Sequence, residues 1–254
     1  MAMQTLTQRL ANPTRFMALS GRLLPWVSAL AGVLIAVGLY MAFFTAPPDY
    51  QQGHTAKIMY VHVPAAWLAM FGYTLVAASS FGLLVFRHPL ADVSAKAAAP
   101  IGAVFTFLCL VTGSLWGKPM WGAFWAWDPR LTSVLILFFL YLGLIVLRSS
   151  IEDESLAGNL TAVLGLVGIV ILPVIRFSVD WNSIHQQPSV SRLGMPAIHP
   201  SILWPLLVMA AGMTALFLAL HLKAMRNEIL RRRVKALRLM EVQSAAGLAH
   251  QPAE

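Results

Sequence analysis

The chain has 254 residues, 58% of them hydrophobic and only 11% charged, with a mean hydropathy of +0.71. A water-soluble domain of this length cannot hide that much apolar surface, so lipid must be part of its solvent. The net charge of +8 therefore reads as a topology signal plus a basic tail near anionic lipid, with no nucleic-acid footprint.

Six apolar runs are long enough to cross a bilayer: roughly 23–45, 60–86, 97–115, 131–148, 159–178 and 201–222. Hydrocarbon offers no water to their backbone groups, so all six are predicted as helices. The fold class is all-α, a polytopic integral membrane protein formed by a single membrane domain over 1–254. The first run is too long and too far from the start for a cleavable signal peptide. APPDYQQG follows it, not a small-residue cleavage site, so it is read as a retained span.

Lys and Arg set the orientation. Arg9, Arg15, Arg22, Arg87, Lys96, Arg148 and seven cations between Lys223 and Arg238 fall on one side. Only Lys57, Lys118, Arg130, Arg176 and Arg192 fall on the other, which puts both termini in the cytoplasm. Segments 46–59, 116–130 and 179–200 are then external. The internal stretches RHPLADVSAK and RSSIEDESLAGN read as short polar connectors. In the basic tail, 223–254, EILRRRVKALRLM either continues the last span or anchors at the membrane surface, and the anchor is the preferred reading. Cys109, the only cysteine, sits mid-span in FTFLCLVTG as a small packing residue. Neither a disulfide nor the C-x-x-C-H of a c-type cytochrome is available.

Everything unusual lies in the external segments. In TAPPDYQQGHTAKIMYVHVPAAW, Pro47 and Pro48 stop the first helix. His62 follows in the opening turns of the second, with Lys57 about one turn before it and Pro64 tolerable nearby. Next comes WGKPMWGAFWAWDPR, which concentrates Trp116, Trp121, Trp125, Trp127, Asp128 and Arg130. If extended, it puts Trp125 and Trp127 on one face; if helical, Trp121 and Trp125. Either gives a flat aromatic shelf, although an interfacial tryptophan belt also fits. The third segment, RFSVDWNSIHQQPSVSRLGMPAIHPS, is too polar and too broken for lipid and carries His185.

Quinones, haem and aromatic amino acids all suit an indole shelf. Two histidines flanking it on one side, His62 and His185, favour an iron porphyrin held through imidazole. His54 and His199 share that compartment and stand as substitutes; His88, His221 and His250 are on the wrong side. Haem propionates want cations, which Lys57 and Arg130 could supply, although both could equally mark the interface or pair with Asp128. Asp128 has rival roles as well. It could orient an indole or imidazole, act chemically, or cap the next helix ahead of Pro129, the cap being physically strongest.

KIMYVHVPAAW, GAVFTFLCLVTGSLWGKPMWGAFWAWDPRLTS and SVDWNSIHQ resemble, in order and spacing, the CcmC family of cytochrome c maturation proteins, and APPDYQQG fits as well. The resemblance is close over residues 45 to 190. It implies an inner-membrane protein that binds haem b non-covalently at its periplasmic face, with His62 and His185 as the two axial ligands and the tryptophan signature beneath. It implies delivery of that haem to a periplasmic chaperone of the CcmE type. Further implied partners are a small single-span protein of the CcmD type and ABC transporter subunits of the CcmA and CcmB type, all in the lipid bilayer or at its surface. Phe124 stands where family members often carry another tryptophan, which implies a smaller shelf. Nothing in the chain resembles a nucleophile or general-acid site of its own, so a binding and delivery protein is expected over an enzyme. The competing class, a haem-based redox protein of cytochrome b-like or quinone-reactive type, would want histidine pairs at mid-helix, and none is present.

Overall fold

Asn12 opens the first helix by accepting the N–H groups of Thr14 and Arg15 on its side-chain oxygen, with Pro13 at the first helical position. The helix, α1 (Pro13–Tyr40), runs out through a π-helical turn, Met41–Thr45, just before the Pro47-Pro48 pair. This computed structural model describes residues 12–181, 191–192, 195–196 and 198–249, with side chains over 12–178 and 198–244. A 3₁₀ turn, His54–Ile58, leads into α2 (Met59–Phe86). Arg87, in the left-handed region at φ 49°, turns the chain into α3 (Pro89–Trp121). Then come α4 (Pro129–Ser149), α5 (Glu154–Val167) and α6 (Ile171–Trp181), the last two joined into one span by a 3₁₀ turn at Gly168–Val170. Ser191–Arg192 pairs antiparallel with Met195–Pro196 ahead of the last helix, α7 (Pro200–Ala249).

Six helices are long and apolar enough to cross a membrane, so the all-α polytopic fold class holds. Their outer surfaces carry Trp26, Phe44, Phe86, Phe139 and Trp204, each at least 60% exposed. Such surface is tolerable only where lipid replaces water. The central pair is α2 and α3. One buried cluster joins them to α1 and α7 through Tyr60, Phe105, Leu206 and Phe217; another joins them to α4 and α6 through Tyr73, Leu137, Tyr141 and Ile175. Two ends of the bundle result. One gathers residues 46–53 and 122–128 and is called the tryptophan face below. The other gathers the 87–88 and 150–153 turns and is called the basic face.

Two readings of the sequence change here. The external loop expected over 116–130 shrinks to residues 122–128, because α3 continues through Trp121. It stops only at Gly122, whose φ of +77° is a left-handed C-cap closed by its N–H onto the Lys118 carbonyl. The basic tail continues the last span as one helix, the alternative that stood beside the surface anchor. In α7, 50 residues run unbroken, about 75 Å of helix against a hydrocarbon core of about 30 Å. Acids from the supposed connectors hold it upright. Arg232 pairs with Asp92 and with Glu228, Arg231 with Glu154 at 2.9 Å, and Lys235 with Glu154 at 3.3 Å. Arg148 adds a two-toothed bond to Asp92, 2.6 and 2.8 Å. Those connectors are therefore structural, since each contributes an acid that ties α7 to the bundle.

Candidate functional site

Asp49 starts the site by folding the loop after α1. Its carboxylate accepts the N–H groups of Gln51 and Gln52, and its backbone pairs with that of Gly53. Gln52 is thereby placed to accept the Trp116 indole N–H at 2.8 Å. Trp116, near the end of α3, packs edge-on against the His62 imidazole, ring centres 5.7 Å apart and planes at 78°. His62, in the first turn of α2, is hydrogen-bonded through Nδ1 to the Cys109 carbonyl at 3.1 Å and the Thr112 hydroxyl at 3.0 Å. One turn of α3 and the Trp116 indole thus hold the imidazole, and the loop in turn holds the indole.

On the other side of the cavity, Asp128 is 4% exposed and caps α4, accepting the Leu131 N–H on Oδ1 at 2.7 Å. The cap is thus one geometric role of Asp128, and it fixes where the 122–128 loop meets the helix. Lys118 closes the loop's other end by donating to the Gly122 carbonyl at 3.0 Å and lying over the Phe124 ring. Within the loop, Trp125 and Trp127 meet edge to face, 5.7 Å apart with planes at 76°. The indoles consequently do not form the flat shelf expected from the sequence. Trp121 and Trp125 line walls, and Trp127 points away at 80% exposed.

Between these walls lies a cavity of about 480 Å³, within the range of small-molecule and cofactor sites. It is bordered by His62, Trp116, Trp121, Trp125, Asp128 and Arg130, with Lys57 at the rim. The Lys57 ammonium donates to the Phe43 carbonyl at 3.0 Å. The Trp125 indole nitrogen is buried and has no hydrogen-bond partner among the described residues. A buried donor left that way costs about 1–3 kcal/mol. His185 lies outside the described residues. His54 and His199 are exposed and do not border the cavity. No group of three or more His, Cys, Asp or Glu side chains able to hold a bare metal ion occurs among the described residues.

The profile of the CcmC family, described as "Heme exporter protein C", matches residues 6–240. The chain belongs to the CcmC family. It is 60% identical over 238 residues to the heme exporter protein C of Bradyrhizobium diazoefficiens, covering 93% of this chain and 90% of that protein. It is 46% identical over 229 residues to the Paracoccus denitrificans protein of that name, with 89% and 95% covered. Against the Escherichia coli K12 protein the identity is 45% over 223 residues, with 87% and 90% covered. This CcmC chain thus matches its relatives along nearly their whole length.

Several cavity residues of this CcmC protein went unnoticed in the sequence. Asp49 and Gln52 were legible in principle, since D-x-Q-Q-G between a helix stop and a helix start is a turn signal with a free amide in it. Arg176 borders the cavity from α6, adding a third cation to Lys57 and Arg130. Its only sequence signal was an arginine near the end of an apolar run, which the interface reading absorbs. Thr112 and Gly113 left no sequence signal, because nothing local links them to a histidine some 50 positions earlier.

Proposed function

We propose that this protein binds haem b at its tryptophan face and delivers it to a periplasmic chaperone of the CcmE type for c-type cytochrome maturation. His62 and His185 are the axial ligands, the indoles of Trp116, Trp121 and Trp125 border the macrocycle, and Lys57 and Arg130 serve its propionates. Bound haem supplies the iron that the two imidazoles ligate and the porphyrin edge handed to the acceptor. The observation that carries this reading is the cavity. It puts an imidazole hydrogen-bonded only through Nδ1, a buried indole N–H without an acceptor, and a cationic rim on one apolar pocket. Those are the three things an amphiphilic iron porphyrin with two carboxylates asks of a host. Relatives named heme exporter protein C support the same class of cargo.

In this reading the chain's own work is positioning. Asp49, Gln52 and Trp116 keep the His62 ring upright, and Asp128 keeps the 122–128 loop against the head of α4. Trp127, exposed beyond the cavity, is left to meet the incoming chaperone. The tryptophan face is periplasmic, the protein sits in the bacterial inner membrane with both termini cytoplasmic, and it assembles with CcmD-type and CcmA- and CcmB-type partners. The cation asymmetry, thirteen against five, supports that orientation.

An absorption spectrum of the detergent-purified full-length protein tests the cargo, with a six-coordinate low-spin haem expected. Absence of haem both on purification and after incubation with ferric haem would remove the proposal. Orientation is tested separately with single cysteines in intact cells. Gln51→Cys and Ala123→Cys should react with an impermeant thiol reagent and Ser155→Cys should not; the reverse pattern inverts the topology.

A further inference from the structure

The His62 ring has two hydrogen-bond partners, and both turn out to be acceptors. The Cys109 carbonyl, 3.1 Å from Nδ1, has no proton to give. The Thr112 hydroxyl, 3.0 Å from Nδ1, has one, but it is committed to the helix's own backbone. Thr112 Oγ1 donates to the Leu108 carbonyl at 2.6 Å, with a longer approach of 3.2 Å to that of Cys109. What Thr112 has left for His62 is a lone pair. Two acceptors facing one nitrogen require that nitrogen to carry the hydrogen, so the neutral ring is the Nδ1–H tautomer and Nε2 keeps its lone pair.

The third component is an absence of side chain. A Cβ at Gly113 would stand 3.0 Å from His62 Cε1 and 3.5 Å from Nδ1. Glycine leaves the imidazole room to settle closely onto the 109–113 turn of α3, where both acceptors lie; a Cβ there would make the ring give by a few tenths of an ångström. Trp116, one turn further on, then closes the ring's remaining side.

We infer that Thr112 and Gly113 are positioning residues for the axial ligand: they seat His62 on α3 as the Nδ1–H tautomer and raise the basicity of Nε2. The inference rests on the proposal that His62 ligates haem iron, and it adds which residues of α3 set the strength of that bond. Hydrogen bonding from the far nitrogen of a ligating imidazole increases its donor strength, and loss of such a partner typically costs about 10–100-fold in metal affinity. A more basic ligand favours the ferric state, so removing the acceptor raises the haem's reduction potential.

The test uses the full-length chain in detergent, loaded with ferric haem, comparing Thr112→Val, Thr112→Ser, Gly113→Ala and His62→Ala. Thr112→Val keeps the shape and removes one of the two acceptors, leaving the Cys109 carbonyl; it should retain haem about tenfold less tightly and shift the midpoint potential upward. Thr112→Ser restores a hydroxyl and should return both to the unmodified values. Gly113→Ala should move the potential in the same direction as Thr112→Val by lifting the ring off its acceptors. Wild-type potential and retention in Thr112→Val would overturn the inference. So would weaker retention at an unchanged potential, which is the mark of a packing defect. His62→Ala separates the two levels: if it keeps the unmodified six-coordinate spectrum, the ligand assignment itself fails. If it loses that ligand while Thr112→Val behaves as wild type, only the positioning role fails.

Discussion

The two ends of this bundle treat their polar groups in opposite ways. On the basic face, acids and cations from four helices answer each other. Asp92 on α3, Arg148 on α4, Glu154 on α5, and Glu228, Arg231 and Arg232 on α7 form one connected network, joined by Lys96. Every ion pair between described residues lies there. On the tryptophan face, by contrast, the carboxylates of Asp49 and Asp128 are turned onto backbone N–H groups. Lys57, held by the Phe43 carbonyl, borders the cavity with Arg130 and Arg176, none of them in an ion pair with another described residue. A set of groups that satisfies itself builds structure, whereas a set arranged around a space and satisfied only in part is arranged for something else to complete it. The difference separates scaffold from site without reference to any relative.

Four substitutions bear on that contrast, taken from the largest effect down. Asp92→Ala strands Arg148, whose side chain is only 9% exposed, and should cost about 3–5 kcal/mol of stability as a broken buried pair. Thermal unfolding in detergent reads the loss, and haem binding by the folded fraction should stay intact. An Asp92→Ala protein that melts normally yet fails to bind haem would erase the division between the two faces. His62→Ala should do the converse, lowering haem retention by about 100-fold or more with little change in melting temperature, since a ligand is lost outright where losing a hydrogen-bond partner of a ligand already costs about 10–100-fold.

Trp125→Phe keeps an aromatic wall and removes the partnerless N–H. Haem retention should fall by about tenfold, the worth of one hydrogen bond to a charged acceptor, and apo stability should hold or rise. Equal retention would mean that the indole N–H is not used by the cargo. Trp127→Ala is the smallest, because the ring is 80% exposed and outside the cavity border. Haem retention should stay within about twofold, as for an ordinary surface change. Transfer to the chaperone is where its loss should register, measured as haem appearing on the chaperone over time.

Much of the scaffold was readable because a bilayer imposes a single solution on long apolar runs, and the six spans follow from that constraint. The ends of the spans were less readable. Periodicity cannot tell that Trp116 and Trp121 are still helical, since the glycine stop at Gly122 competes with equally plausible breaks at Gly117 and Pro119. The choice between the two readings of EILRRRVKALRLM was open for a similar reason. A basic amphipathic stretch looks the same whether its partners are lipid phosphates or carboxylates on Asp92 and Glu154. At the site, the Asp128 cap was visible because capping is local, an acceptor followed at once by proline.

By itself, the sequence determined the solvent, the number of crossings, the cation asymmetry and the residue types gathered in the external segments. Each of those depends on composition or on neighbours a few positions apart, which is the range over which helix periodicity and capping operate. Only the tertiary structure decided which groups meet. It brought Gln52 to Trp116 and laid His62 across the turn at Cys109 and Thr112. It carried Arg176 to the rim and turned the tryptophans from a shelf into the walls of a pocket. The contacts of Gln52 and His62 join residues about 50 or more positions apart, and packing between helices, which no local pattern encodes, is what sets their distances.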